Sequence, residues 1–190
     1  MRKSREEAAK TRERIVSAAA SEFRRNGIVA TGLSDLMAAA GLTHGGFYKH
    51  FESKDQVVAE ACAEAVGSLT EMIAAVAADK PSKGGLEAVV AKYLSTAHRD
   101  DPSHGCPLAA LGSEIARCDE KTRAASTEGF LKLVDIIGGQ FGRTTPDAAR
   151  RRALTVASTM IGALTMARIT TDPELSAEIL QEVGKHLTLK

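Results

Sequence analysis

Residues 31–54, TGLSDLMAAAGLTHGGFYKHFESK, decide the reading of this chain. Leu33, Leu36 and Met37 share one face of a short helix. Gly41 stops that helix, because the left-handed position beyond a helix end is cheapest for glycine. Leu42 packs across the turn and Thr43 caps a second helix, with Phe47 and Phe51 at i, i+4 on its buried side. His44, Gly45, Tyr48 and Lys49 are left on its other faces. Two short helices about a glycine turn, the second aromatic and basic, predict a helix-turn-helix. That device lays its second helix in a DNA major groove.

The same residues resemble the DNA-binding motif of the tetracycline-repressor (TetR) family of bacterial transcription regulators. Its pattern is roughly T-T-hydrophobic-x-D-I-A-x-x-A-G-V-S-x-G-x-x-Y-x-Y/H-F-x-S-K-x-x-L. Thr31, Asp35, Ala40, Gly41, Gly45, Tyr48, His50, Phe51, Ser53 and Lys54 match it outright, and Leu33, Leu36, Leu42, Thr43 and Val57 match in kind. Three positions depart from it. Gly32 replaces a phosphate-contacting Thr, Met37 stands where a small residue lets the helices approach, and Gly46 adds a glycine near the start of the reading helix.

The resemblance implies an all-α homodimer that binds a palindromic operator and responds to a small-molecule effector. It implies a three-helix DNA-binding domain over 1–53 and a six-helix ligand-binding and dimerisation domain over 54–190. In the reading helix, His44 and Lys49 are expected near base edges or phosphates. Thr43, Tyr48 and His50 are expected to hydrogen-bond at the interface, and Gly45 to admit the backbone closely. Thr31 and Lys54 flank the helix as phosphate contacts, which fix register rather than sequence. Arg2, Lys3 and Arg5 form either a minor-groove arm or a free tail.

Working outward, the rest of the chain agrees with an all-helical fold. Alanine is abundant, β-branched runs are short and apolar residues recur at helical spacing. Without Trp and with few other aromatics, the core must be built from Leu, Ile, Val, Ala and Met. The net charge of +1 is unevenly shared: residues 1–55 carry ten Lys/Arg against seven Asp/Glu, and residues 56–190 carry fifteen against seventeen. A basic head on a slightly acidic body suits phosphate contact at one end. Ordinary scatter gives the same numbers.

Helices are expected at about 6–25, 54–78, 86–98, 106–118, 120–141, 146–169 and 173–186, besides the two of the motif. In the 146–169 helix, small residues such as Ala157, Gly162 and Ala163 alternate with Ile161 and Leu164. The last helix offers Leu175, Ile179, Leu180, Val183 and Leu187 on a broad face. Ala157, Ile161, Gly162, Leu164, Leu175, Ile179 and Val183 are the expected dimer seam, and part of this surface must also be core. Tyr93, Cys106, Leu111, Phe130, Leu133, Val134, Ile137 and Met160 are expected around an effector cavity; each alone also fits plain core.

Cys62, Cys106 and Cys118 show no C-x-x-C spacing. An odd count, a charged N-terminus without an apolar stretch and no apolar run near the ~20 residues that span a bilayer imply the cytoplasm. Cys106 precedes Pro107 at a helix start, where a thiolate is favoured. It is either a redox or electrophile sensor or an inert half-buried thiol. His98, His104 and Cys106 lie within nine residues, but not at zinc-ligand spacing, so no metal is expected. There is no G-x-S-x-G, Walker loop or H-E-x-x-H, and therefore no expected catalytic set or cofactor. Two alternatives stay open beside an effector-released repressor. One is an effector-independent DNA binder, and the other is an all-α small-molecule-binding protein with a non-functional head.

Overall fold

Two apolar clusters organise the molecule, and one long helix runs through both. The computed structural model describes residues 2–79, 84–142 and 144–189, with side chains from Arg5 onward. Among these residues the regular structure is helical, with no strand. The described residues form nine α-helices: α1 Arg2–Asn26, α2 Leu33–Ala39, α3 Lys54–Asp79, α4 Gly85–Tyr93, α5 Thr96–Asp100, α6 Pro107–Ile115, α7 Glu120–Gly138, α8 Pro146–Ile169 and α9 Pro173–Thr188. Two 3-10 segments, His44–Lys49 and Pro102–His104, complete the order.

The ends follow local chemistry. The Asp119, Thr145 and Asp172 side chains accept the first free N–H groups of α7, α8 and α9, and Pro146 and Pro173 open the last two helices. Gly27, at φ 89, closes α1. Some boundaries differ from the sequence expectation. The backbone of α1 already starts at Arg2, so the basic residues before Glu6 continue a helix; the side chains of Arg2 and Lys3 lie outside the described set. The single helix expected over 86–98 divides into α4 and α5, because Ser95 caps a new start by accepting the His98 N–H. Most of the turn cluster after Asp79, residues 80–83, lies outside the described residues.

α3 is the strut. Its N-terminal half packs Val57, Val58, Ala61, Cys62 and Ala65 into the head cluster with Ile15, Phe23, Leu36, Phe47 and Phe51. Its C-terminal half packs Leu69, Ile73 and Ala77 into the body cluster with Leu133, Ile137, Met160 and Leu164. The boundary expected at residue 53 therefore cuts through one continuous core. Leu111 and Ile115 of α6 also join the head cluster. α7 lies close along α3: a Cβ on Gly129 would fall 1.9 Å from Val66 Cγ1, so only glycine fits there. Among the described helices α3 alone is long and apolar enough to cross a membrane, which the sequence reading did not expect. Its alanines raise the hydropathy, and the fold uses that apolar surface as core.

Candidate nucleic-acid interface

The turn between α2 and the next segment is built around Gly41. Gly41 takes φ 67, its N–H donates to Ala38 O at 2.9 Å, and the Leu42 N–H reaches back to Met37 O at 2.8 Å. This pair of hydrogen bonds satisfies two carbonyls at the end of α2 and fixes the angle at which the chain leaves it. Asp35 steadies the start of α2 by accepting the Gly32 N–H at 3.3 Å.

The reading segment is then His44–Lys49, and it is a 3-10 helix rather than the two-turn α-helix expected. Two consecutive glycines explain the difference, since glycine favours the α-helix least among residues other than proline. Thr43 sits at the cap position, but its side chain makes no capping bond. Phe47 is fully buried, stacks on Phe51 with centroids 5.6 Å apart and meets Tyr48 edge-on at 5.2 Å. The other side faces outward: Thr43, His44, Gly45, Tyr48 and Lys49 are exposed, Tyr48 to 67 % despite its aromatic ring. Ser34 Oγ of α2 shares a 3.3 Å hydrogen bond with His44 Nδ1, bringing Ser34, absent from the sequence-based set, to the same surface. Met37 is fully buried beneath the reading segment, and a Cβ on Gly46 would sit at ordinary contact distance, 3.4 Å, from its Cε.

Three expected contact residues are placed differently. Thr31 is 2 % exposed and its hydroxyl donates to Gly27 O at 2.7 Å. Lys54 is half-buried and its ammonium donates to Ile28 O at 2.6 Å. Both tie down the turn between α1 and α2, so in this conformation they hold the site rather than face a phosphate. His50 is half-buried, and its carbonyl accepts from Arg12 Nε at 3.3 Å. Ser53 accepts the Gln56 N–H at 3.1 Å, which occupies one donor at the start of α3.

Arg12 is the residue that sequence reasoning missed. Besides His50 it holds Glu60 of α3 through two guanidinium nitrogens, one of them at 2.6 Å, and lies 4.5 Å above the Phe51 ring. The bond to Glu60 raises the Arg12 pKa and holds the Glu60 carboxyl below its usual range. One side chain thus clamps α1, the end of the reading segment and the strut. A partner 48 positions away leaves no local trace in the sequence.

The expected effector cavity is filled. Tyr93, Cys106, Leu133, Val134, Ile137 and Met160 are each at most 1 % exposed and belong to one packed cluster, with Phe130 against its edge. Leu111 belongs to the head cluster instead. Cys106 is fully buried, and burial pushes its thiol up. The expectation of a lowered pKa fails because desolvation outweighs the favourable α6 amides. Cys118 is the more accessible thiol, whereas burial lifts Cys62 to about 12. Of the expected seam, Ala157 and Leu164 are fully buried within the monomer and serve as core. Gly162 and Leu175 are exposed, and Ile161, Ile179 and Val183 half-buried. Met166 and Ile169 extend that apolar surface, at 52 % and 64 % exposed. Among the described residues no group of three or more His, Cys, Asp or Glu is placed to hold a metal ion.

A helix-turn-helix with an exposed His/Tyr/Lys face, carried on a helical body, defines a DNA-binding regulator. The comparisons give the family. Residues 15–61 match the profile described as bacterial regulatory proteins, tetR family, and residues 82–186 match the LmrA/YxaF-like transcriptional regulator C-terminal domain. The chain belongs to the TetR family of transcriptional regulators. It is 30% identical over 172 residues to the HTH-type transcriptional regulator Rv0196 of Mycobacterium tuberculosis, covering 85% of this chain and 86% of that one. The probable acrEF/envCD operon repressor of Escherichia coli is 37% identical over 59 residues, 31% of this chain and 27% of that protein. A TetR regulator structure from Chloroflexus aurantiacus superposes with a TM-score of 0.79 at 28% identity, covering 98% of this chain and 94% of that one.

Proposed function

We propose that this regulator is a repressor that binds a two-fold operator as a homodimer and leaves it when a small molecule binds. The observation that carries the reading is the two-sided 3-10 segment, with Phe47 buried beneath and Thr43, His44, Gly45, Tyr48 and Lys49 exposed above. A lysine and a phenol suit phosphate and base-edge contact. The name of the acrEF/envCD relative supports repression at the level of the head. The exposed apolar side chains of Met166 on α8 and Leu175 on α9 support a second copy. DNA binding places the work where the chromosome is, in the cytoplasm of a bacterium.

The packed body core favours a second reading, an effector-independent DNA binder. Fluorescence anisotropy on the DNA upstream of the protein's own gene, against scrambled DNA, tests both readings. Saturable binding that prefers the upstream DNA, and weakens as salt rises, supports DNA recognition. Equal weak binding to both DNAs contradicts it. Release by a small molecule separates repressor from constitutive binder. Gly162→Glu tests the seam cleanly, because nothing lies within 4 Å of the added Cβ in the monomer. Sedimentation should show a folded monomer with reduced operator affinity. A variant that stays dimeric removes Gly162 from the interface.

A further inference from the structure

Arg24 near the end of α1 and Arg168 near the end of α8 come from opposite parts of the chain and converge on Gly105. Arg24 Nη1 donates to Gly105 O at 3.1 Å, and a Cβ on Gly105 would lie 2.8 Å from Arg168 Nη2. Arg168 also donates to the carbonyls of His98 and Arg99, at 2.7 and 3.1 Å. Backbone carbonyls orient both guanidiniums but do not neutralise them. Among the described residues neither forms an ion pair, and Arg24 Nε and Arg168 Nη1 are buried without a hydrogen-bond partner. Two half-desolvated cations with no carboxylate within ion-pair distance are costly; Glu64, Asp100 and Asp101 act only from further off, and burial pulls both pKa values down.

Both arginines line an open cleft of about 500 Å³ between α1, the 102–104 turn, α6 and α8. Leu108, Ala109 and Ile169 give it an apolar wall, and Ser113 and Thr165 add hydroxyls. We propose that this cleft binds a small amphipathic carboxylate, its anion against Arg24 and Arg168 and its apolar part along Leu108 and Ile169. The carboxylate supplies the missing counter-charge, and the wall supplies the affinity that a bare ion lacks.

The site also has a route to the DNA-reading head. The next residue of α6 after Ser113 is Glu114, which accepts the Val29 N–H at 2.9 Å in the turn between α1 and α2. α6 is therefore one wall of the cleft and a clasp on the head. A ligand wedged between α6, α1 and α8 favours one setting of that clasp over another. This second claim rests on the repressor reading; the binding claim does not.

Calorimetry with octanoate tests binding, with octylamine and 1-octanol as chain-matched controls and inorganic phosphate as the bare anion. Octanoate should bind saturably, and the two controls and phosphate at least tenfold more weakly. Arg24→Gln should weaken octanoate at least tenfold. Ser113→Glu, at an exposed position, places an internal carboxylate in the cleft and should do the same while the thermal melt stays cooperative. No saturable octanoate binding, or equal binding in both variants, overturns the site. Phosphate binding as tightly as octanoate overturns the amphiphile. Saturating octanoate should also change wild-type operator affinity at least fivefold and leave Ser113→Glu unmoved. Octanoate binding with unchanged operator affinity overturns the coupling to the head and leaves the site standing. A wild type that ignores its upstream DNA without any ligand overturns the repressor reading, and the calorimetry still decides the site.

Discussion

The head and the body solve the same packing problem with different side chains. The head cluster uses three phenylalanines, Phe23, Phe47 and Phe51, to fix two short segments that contribute little helical stability themselves. The body cluster has Tyr93 as its one fully buried aromatic and otherwise relies on long helices closely packed through Ala, Val, Ile, Leu and one Gly. The head concentrates its stability in a few large groups, and the body spreads it along helix faces. The head's outer surface is thereby left to polar residues, whereas the body buries Tyr93, Leu133, Ile137 and Met160 together as packed core.

This contrast breaks first at Phe47. Phe47→Ala should cost about 3–5 kcal/mol, as for other buried aromatics. Hydrogen exchange should show the loss concentrated in α2 and residues 44–49, with α7 and α8 still protected. Uniform loss across both regions would mean that α3 makes them one cooperative unit. In the body the comparable point is a close approach. Gly129→Ala should cost about 1–3 kcal/mol in urea unfolding, and pairing it with Val66→Ala should recover part of that loss. Strict additivity of the two changes would remove the Val66 contact as the cause.

A smaller effect lies within the body. His98 Nδ1 donates to Tyr93 O at 2.7 Å, and its Nε2 accepts the Cys106 N–H at 2.9 Å, so the fold requires the neutral ring. Burial lowers its pKa below the unfolded value. The unfolded chain then binds the extra proton first. Stability from His98 is complete above about pH 6.5 and falls as pH drops from there toward the lowered folded value. Chemical denaturation between pH 7.5 and 5.5 should show that slope, and His98→Gln should flatten it. An equal slope in both proteins assigns it to other groups.

The two regions also differed in how much their sequence disclosed. Gly41, Phe47 and Phe51 act on near neighbours, so their spacing carried the turn and the buried side of the reading segment. Met37 and Gly46 looked unrelated because the contact between them crosses a turn. Thr31 and Lys54 were misplaced because a hydroxyl or ammonium that seals a carbonyl reads the same in sequence as one that meets a phosphate. Cys106 followed the helix-start rule locally, but its burial depends on α4 and α8. The convergence of Arg24 and Arg168 spans most of the chain, and no periodicity announces it.

One side of residues 44–49 holds the head, and in the proposed function the other reads DNA. Operator affinity and melting temperature measured together for Tyr48→Ala test it most directly. Tyr48 is 67 % exposed, so the substitution should leave the melting temperature nearly unchanged and weaken operator binding by about 1–3 kcal/mol. An unchanged operator affinity in a folded Tyr48→Ala protein would contradict the claim.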